Sequence, residues 1–284
     1  MHVDDEIHGI STLIQVQTAV GSSQGTGFFY QRLSPADQTK DGQWRAIDDA
    51  WLITNRHVLL PQSQTGESIP TSLTFHLRKV INGSIVWEPI TLDQSAIISR
   101  AILHANSEID VCAIRVLDLI MEKINSGDKY LNWHGVSNEN LAGHNKINPH
   151  VASDAVVVGY PRGFYDQVNV FPIVKSGIIA SRWGANFQGQ PYFLIDAKLF
   201  PGSSGSIVIS KPTDVVVENG QVFHAKEKQF AFLGIFSGEP YQAHNPIEFD
   251  DLTIIRKTGF NVGIVWYGHL VDEILATGVS LDES

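Results

Sequence analysis

Pro201-Gly202-Ser203-Ser204-Gly205-Ser206 stands between two apolar runs, residues 192–195 and 207–209. Two glycines around a central serine suit a backbone that turns sharply and aims successive N–H groups into one small space. Acyl transfer needs that arrangement: a serine oxygen presented for attack, and donors waiting where charge develops on the carbonyl oxygen. A plain Gly/Ser turn between two strands fits the same six residues. A Gly-x-Ser-x-Gly elbow does not, because Ser206 stands where its second glycine is required. If Ser204 is a nucleophile, the rest of the chain has to supply a histidine base and a carboxylate to orient it.

Composition bounds the search. In 284 residues, 43% hydrophobic and 18% charged content describes an ordinary globular protein, long enough for two compact domains or one large one. The formal charge of −10, with no basic block, argues against nucleic acid or an anionic membrane as the principal partner. The one cysteine, Cys112, excludes an intrachain disulfide, and its apolar run (residues 111–116) makes it a buried small residue rather than a reactive thiol. The start, Met1-His2-Val3-Asp4-Asp5-Glu6, lacks the basic and apolar regions of a signal peptide, and no window approaches 18 apolar residues. The chain therefore reads as soluble and cytoplasmic.

Outward from the serine, the pattern is of short strands. Residues 11–18 alternate Ile14 and Val16 with Gln15 and Gln17, and Gly25-Thr26-Gly27-Phe28-Phe29-Tyr30 begins a second strand. After a polar loop at 31–49, residues 50–54 return to strand composition. Further β-like runs fall at 72–80, 85–87, 96–103 and 111–116, with a short helix at 117–124. Residues 125–150 are rich in Asn, His, Gly and Ser and read as a connection. The pattern then repeats at 155–158, 168–181, 192–197, 206–209, 230–236 and 260–266, around loops at 212–219 and 239–251, before a closing helix at 269–275. Two runs of about six strands with little helix predict an all-β fold of two six-stranded antiparallel barrels, residues 1–124 and 151–284, joined by 125–150.

The base and the acid follow from this layout. His57 differs from the other ten histidines in following the apolar strand Trp51-Leu52-Ile53-Thr54, where a rigid element can hold a general base. Asp110 opens the apolar run Val111-Cys112-Ala113-Ile114, and an acid at the mouth of a buried strand needs a partner. Alone, each has an ordinary structural reading, a core or solvated histidine and a strand-start cap. Their order, His then Asp then Ser, favours the catalytic one. No Cys/His/carboxylate set has metal-ligand spacing; His144 and His150 sit in a polar loop, and neither metal nor cofactor is expected.

With these residues placed, the sequence resembles the trypsin/chymotrypsin superfamily, and within it the bacterial trypsin-like and HtrA-type proteases. Gly25-Thr26-Gly27-Phe28 is similar to its early strand, Trp51-Leu52-Ile53-Thr54-Asn55-Arg56-His57-Val58 to its histidine strand, and Asp110-Val111-Cys112-Ala113-Ile114 to its aspartate segment. Val157-Val158-Gly159-Tyr160-Pro161-Arg162-Gly163 resembles the turn opening its second barrel, and Phe232-Leu233-Gly234-Ile235-Phe236-Ser237 the strand that lines its cleft. The resemblance implies that Ser204 attacks a peptide carbonyl, His57 takes its proton and Asp110 fixes the histidine tautomer. It also implies an oxyanion hole from the N–H groups of Gly202 and Ser204, and pairing of substrate backbone with Phe236-Ser237-Gly238.

Two departures stand out. Ser206 replaces the usual second glycine, a change expected to be tolerated. Ser203 replaces the aspartate that digestive relatives use to bind a new N-terminus, so no zymogen cut of that kind is expected. The pocket position implied by the resemblance holds Lys198 with Leu199 beside it. This predicts poor cleavage after Arg or Lys and a preference for small or medium apolar residues, or for acids if Lys198 points inward. A non-cutting peptide-binding module and an esterase with the same three residues are the rival readings. The loops at 31–49, 125–150 and 239–258 are candidate regulatory or partner-binding segments.

Overall fold

The computed structural model describes residues 3–19, 21–35, 45–63, 66–81, 84–125, 131–132, 134–144, 147–162, 164–169, 171–218, 221–248, 253–254 and 256–283. Parts of the three candidate regulatory loops lie outside these residues. The architecture is mostly β. In the second half, the strands Asp154–Gly159, Ile173–Ile179, Tyr192–Asp196, Gly263–Tyr267, Phe232–Gly238 and Ile207–Ser210 pair in that order and close into a barrel.

The apolar runs are continuous because their strands are buried on both faces. Successive side chains of a strand point to opposite sides. In the Ile47–Thr54 strand, Leu52 faces the first half's own core beside Ile14, Leu59, Phe75 and Ile114, while Trp51 and Ile53 face a seam shared with the second half. In the Ile207–Ser210 strand, Val208 fills the barrel with Val157, Phe193 and Val265, while Ile207 and Ile209 face the same seam. The functional candidates lie along this seam.

Closure of the first half into the expected second barrel is not seen among the described residues. That half is a nine-stranded sheet, with Ser11–Thr18, Gly21–Leu33, Ile47–Thr54 and Cys112–Arg115 at its centre. Two short pieces from elsewhere join it. Leu131–Asn132 of the connection pairs with Ser72–Ile81, and Val279–Ser280 pairs with Ala101–Leu103. Among the described residues Ser84–Asp93 pairs only with Ser72–Ile81, and the ladder does not join its ends. The closing helix α5 (Leu270–Thr277) places Leu270, Val271 and Ile274 in the seam, and the Tyr30 hydroxyl donates to Asp272 on it.

Helices α1 (Val3–Ile10) and α2 (Arg56–Leu59) were not expected, and α3 (Gln94–Arg100) occupies most of a stretch that reads as strand. Asp93 caps α3 by accepting from the Ala96 N–H at 2.8 Å, a local bond that offsets the β-branched content of Ile97-Ile98. The expected helix at 117–124 is α4 (Leu117–Asn125). The expected loop at 212–219 belongs to a hairpin, Thr213–Glu218 with Gln221–Gln229; its second strand is exposed almost throughout and so shows no inside–outside alternation. Among the described residues no helix is long and apolar enough to cross a membrane.

Candidate functional site

The serine loop is fixed through its backbone. Gly202 and Gly205 have φ of +91° and +83°, the left-handed region that glycine enters without strain. A side chain on Gly205 would run into the Thr26 carbonyl and the Thr54 hydroxyl, and one on Gly202 into the Arg162 N–H. The Ser203 N–H donates to Phe200 O (3.1 Å), that of Gly205 to Phe236 O (2.9 Å) and that of Ser206 to Ser203 O (3.0 Å). The N–H groups of Gly202 and Ser204, those in the expected oxyanion hole, have no acceptor among the described residues. Ser206 is fully buried, and the bare Gly159 leaves room for its hydroxyl.

The first half grips this loop through one residue that the sequence reading did not single out. Thr26 is fully buried. Its N–H donates to Ser204 O at 2.8 Å, and its Oγ1 donates to Gly202 O at 2.9 Å. The same oxygen accepts the Tyr160 N–H, and the Thr26 carbonyl accepts the Thr54 hydroxyl at 2.7 Å. The glycines on either side carry the signal. A Cβ on Gly25 would meet Val58 and one on Gly27 would meet Ile14 and Leu52, so a strand pressed this closely has little room for side chains.

His57 sits in α2, directly after the buried Ile47–Thr54 strand. The Asp110 carboxylate holds it twice: Oδ1 accepts the His57 backbone N–H at 2.9 Å and Oδ2 lies 2.7 Å from Nδ1. Asn55, fully buried, donates to the Asp110 carbonyl at 2.6 Å and so ties the two segments together. Arg56 braces the helix from outside through a two-pronged pair with Glu67, which pushes the guanidinium pKa further up.

Ser237 joins the acid to the serine. Its hydroxyl donates to Asp110 Oδ2 at 2.6 Å, and its carbonyl accepts the Ser204 hydroxyl at 2.8 Å. The register slips between Phe236 and Gly238 where the Phe232–Gly238 strand pairs with Gly263–Tyr267. This irregularity re-aims Ser237 out of the ladder. His57, Asp110, Ser237 and Ser204 are thus one connected set, although among the described residues no hydrogen bond runs directly from Ser204 to His57. Gly238 has open space where a side chain would stand. Of the expected pocket pair, Lys198 is exposed, while Leu199 is half-buried against the barrel core. Cys112 lies fully buried in the first half's core, and burial pushes its thiol pKa far up, so it is not a nucleophile.

The mostly β scaffold carries a glycine-bounded serine that Ser237 links to a carboxylate-held histidine. The sequence matches the model of the trypsin-like peptidase domain over residues 25–217, more than half of its length, and the chain belongs to that family. No curated protein matches it. Among solved structures it is similar to the Rv3671c protease from M. tuberculosis in its active form, at 15% identity and TM-score 0.45 over 98% of this chain and 87% of that one. It is also similar to the tobacco etch virus protease complexed with product, at 10% identity and TM-score 0.48 over 97% and 82%. A third is an inactivated protease paralogue from the scabies mite, at 12% identity and TM-score 0.47 over 96% of each chain.

Proposed function

We propose that this chain is a serine endopeptidase in which Ser204 is the nucleophile, His57 the general base and Asp110 the group that orients the base. The carrying observation is the doubly held His57. With Nδ1 facing the carboxylate at 2.7 Å, the ring proton belongs on Nδ1 and the lone pair on Nε2. A base needs a free lone pair at Nε2 to take a proton, and the Asp110 contact at Nδ1 leaves that nitrogen as the free one.

Ser204 starts the cycle bonded to the Ser237 carbonyl. In the proposed cycle the hydroxyl leaves that carbonyl for Nε2, which takes the proton as Oγ bonds to the scissile carbon. Charge moves to the carbonyl oxygen, and the N–H groups of Gly202 and Ser204 receive it. His57 then protonates the leaving amine, the C–N bond breaks, and water repeats the sequence on the acyl-enzyme. Gly238, with nothing beside it, leaves a clear track for a substrate strand along residues 237–238.

The test is Ser204→Ala with a fluorophosphonate probe. The wild type takes up the probe on Ser204, read by mass, and hydrolyses peptide. The variant loses both, with activity down on the order of 10⁴-fold or more. Its stability moves by less than about 1 kcal/mol, because one oxygen leaves a half-exposed turn. Undiminished peptidase activity in the variant overturns the assignment. One observation favours the non-cutting reading: the Ser204 hydroxyl rests on Ser237 rather than His57. Capture of peptide without turnover by the wild type would establish it.

A further inference from the structure

Beside the serine loop lies a pocket of about 590 Å³ lined by Pro161, Arg162, Phe164, Phe200 and Pro201. Phe164 and Phe200 are 72% and 50% exposed, so two large apolar side chains face water next to the reacting serine. The Phe200 side is held in place. The Arg162 N–H donates to Pro201 O at 2.7 Å, which fixes the floor of the pocket to the residue before Gly202. The Lys175 ammonium donates to the Lys198 carbonyl and lies 4.7 Å over the Phe200 ring.

The direction a substrate takes decides what this pocket receives. The end of the serine loop, Gly205 and Ser206, is bonded to Phe236, in the strand that takes the acyl side of the substrate on the endopeptidase reading. The start of the loop, Pro201, is bonded to Arg162 on the opposite flank. A chain that runs along residues 237–238 and crosses Ser204 therefore passes next over residues 201–202 and reaches Pro161 and Phe164.

From this placement we infer that the pocket binds the residue just after the cut, and that it selects a large apolar side chain there. The inference rests on the serine-endopeptidase reading. The walls are two prolines and two phenylalanines, and the one charged lining residue is Arg162. An aromatic or long aliphatic side chain gains by leaving water between these rings. Basic residues are disfavoured, because their charge approaches Arg162 in a site with no lining carboxylate.

Acyl-transfer partitioning tests this without knowledge of the natural substrate. An activated ester of a blocked apolar amino acid acylates Ser204, and added amino-acid amides compete with water for the acyl group. The amine attacks the ester carbon, an amide bond forms, the acyl–Oγ bond breaks, and Ser204 regains a proton by way of His57. The yield of dipeptide amide against free acid reports how well each amide occupies the leaving side. Phenylalaninamide and leucinamide should capture the acyl group at least ~10-fold better than glycinamide, with argininamide well below both. Phe164→Ala should lower the phenylalaninamide-to-glycinamide ratio at least threefold or so, while Phe164→Trp should keep it, and each ratio is independent of the variant's overall rate. Acylation with equal capture of all amides overturns the pocket and leaves the reading standing, as does a preference that Phe164→Ala does not diminish. Absence of any acyl-enzyme takes down both.

Discussion

The two halves hold their share of the site by opposite means. The barrel half fixes the Ser204 loop with backbone bonds and two left-handed glycines, so its precision is built into the main chain. The first half fixes His57 with side chains: the Asp110 carboxylate, the Asn55 amide and the Arg56–Glu67 pair. A closed barrel has no free edge, and its loops inherit a rigid frame. In the first half, where no closure is seen among the described residues, polar side chains at the seam do the fixing. Substitutions should therefore act differently on the two sides, through chemistry in the first half and through stability in the second.

The largest expected effect is on rate. Asp110→Asn should lower kcat roughly 10⁴-fold with little change in KM, since an amide at that position sets His57 in the wrong tautomer. Its thermal transition should stay close to the wild type. A near-normal rate would transfer the role to another acid, and Glu108, bonded to Gln190 across the seam, is the first to examine.

Gly205→Ala should show the contrasting signature. A Cβ there collides with the Thr26 carbonyl and forces a left-handed alanine, at a cost of about 3 kcal/mol or more in a urea titration. Unchanged stability would mean that the barrel loop is looser than its bonds suggest. Thr26→Val then probes the joint between the halves. It strips the partner from the Gly202 carbonyl and from the Tyr160 N–H while keeping the side-chain volume, and should cost roughly 2 kcal/mol. Because the same bond steadies Gly202, kcat should fall more than KM rises.

The smallest effect is on acid stability and belongs to the first half. His76 packs 4.4 Å from Trp87, and burial holds its pKa below the ordinary value, partly offset by the Leu13 carbonyl. The folded state thus prefers the neutral ring, and the unfolded chain binds the proton first. Stability should be full above about pH 6.5 and decline as pH falls from there towards the lowered folded-state value. His76→Gln should flatten that part of a melting-temperature profile. An unaltered slope would assign the acid sensitivity to another group.

Much of this was legible in the residues. The strands showed wherever burial on both faces produced unbroken apolar runs, as at 50–54 and 207–209. The three candidate site residues stand at the ends of those runs, and Ser237 links them into one hydrogen-bonded set. The arrangement of the first half did not show, because the pieces that join its sheet, Leu131–Asn132 and Val279–Ser280, are two residues long and carry no periodicity. Nor did Ser237 show its double role, which depends on a slip in register that no local pattern marks. Thr26 was visible only as a residue between two glycines. Its four hydrogen bonds arise from contacts with segments far along the chain.

The Val279–Ser280 pairing also sets an order of events. It reaches back across more than half of the chain to Ala101–Leu103, so it forms only after the barrel between them has been made or at least collapsed. Until then a ribosome-bound chain displays an uncovered strand end with unpaired N–H and C=O groups, an invitation to pair with a neighbouring nascent chain. The first half released alone, by premature termination or by a cut between the halves, keeps that end bare for good. Such fragments should gather into aggregates, while the full-length chain covers that strand end.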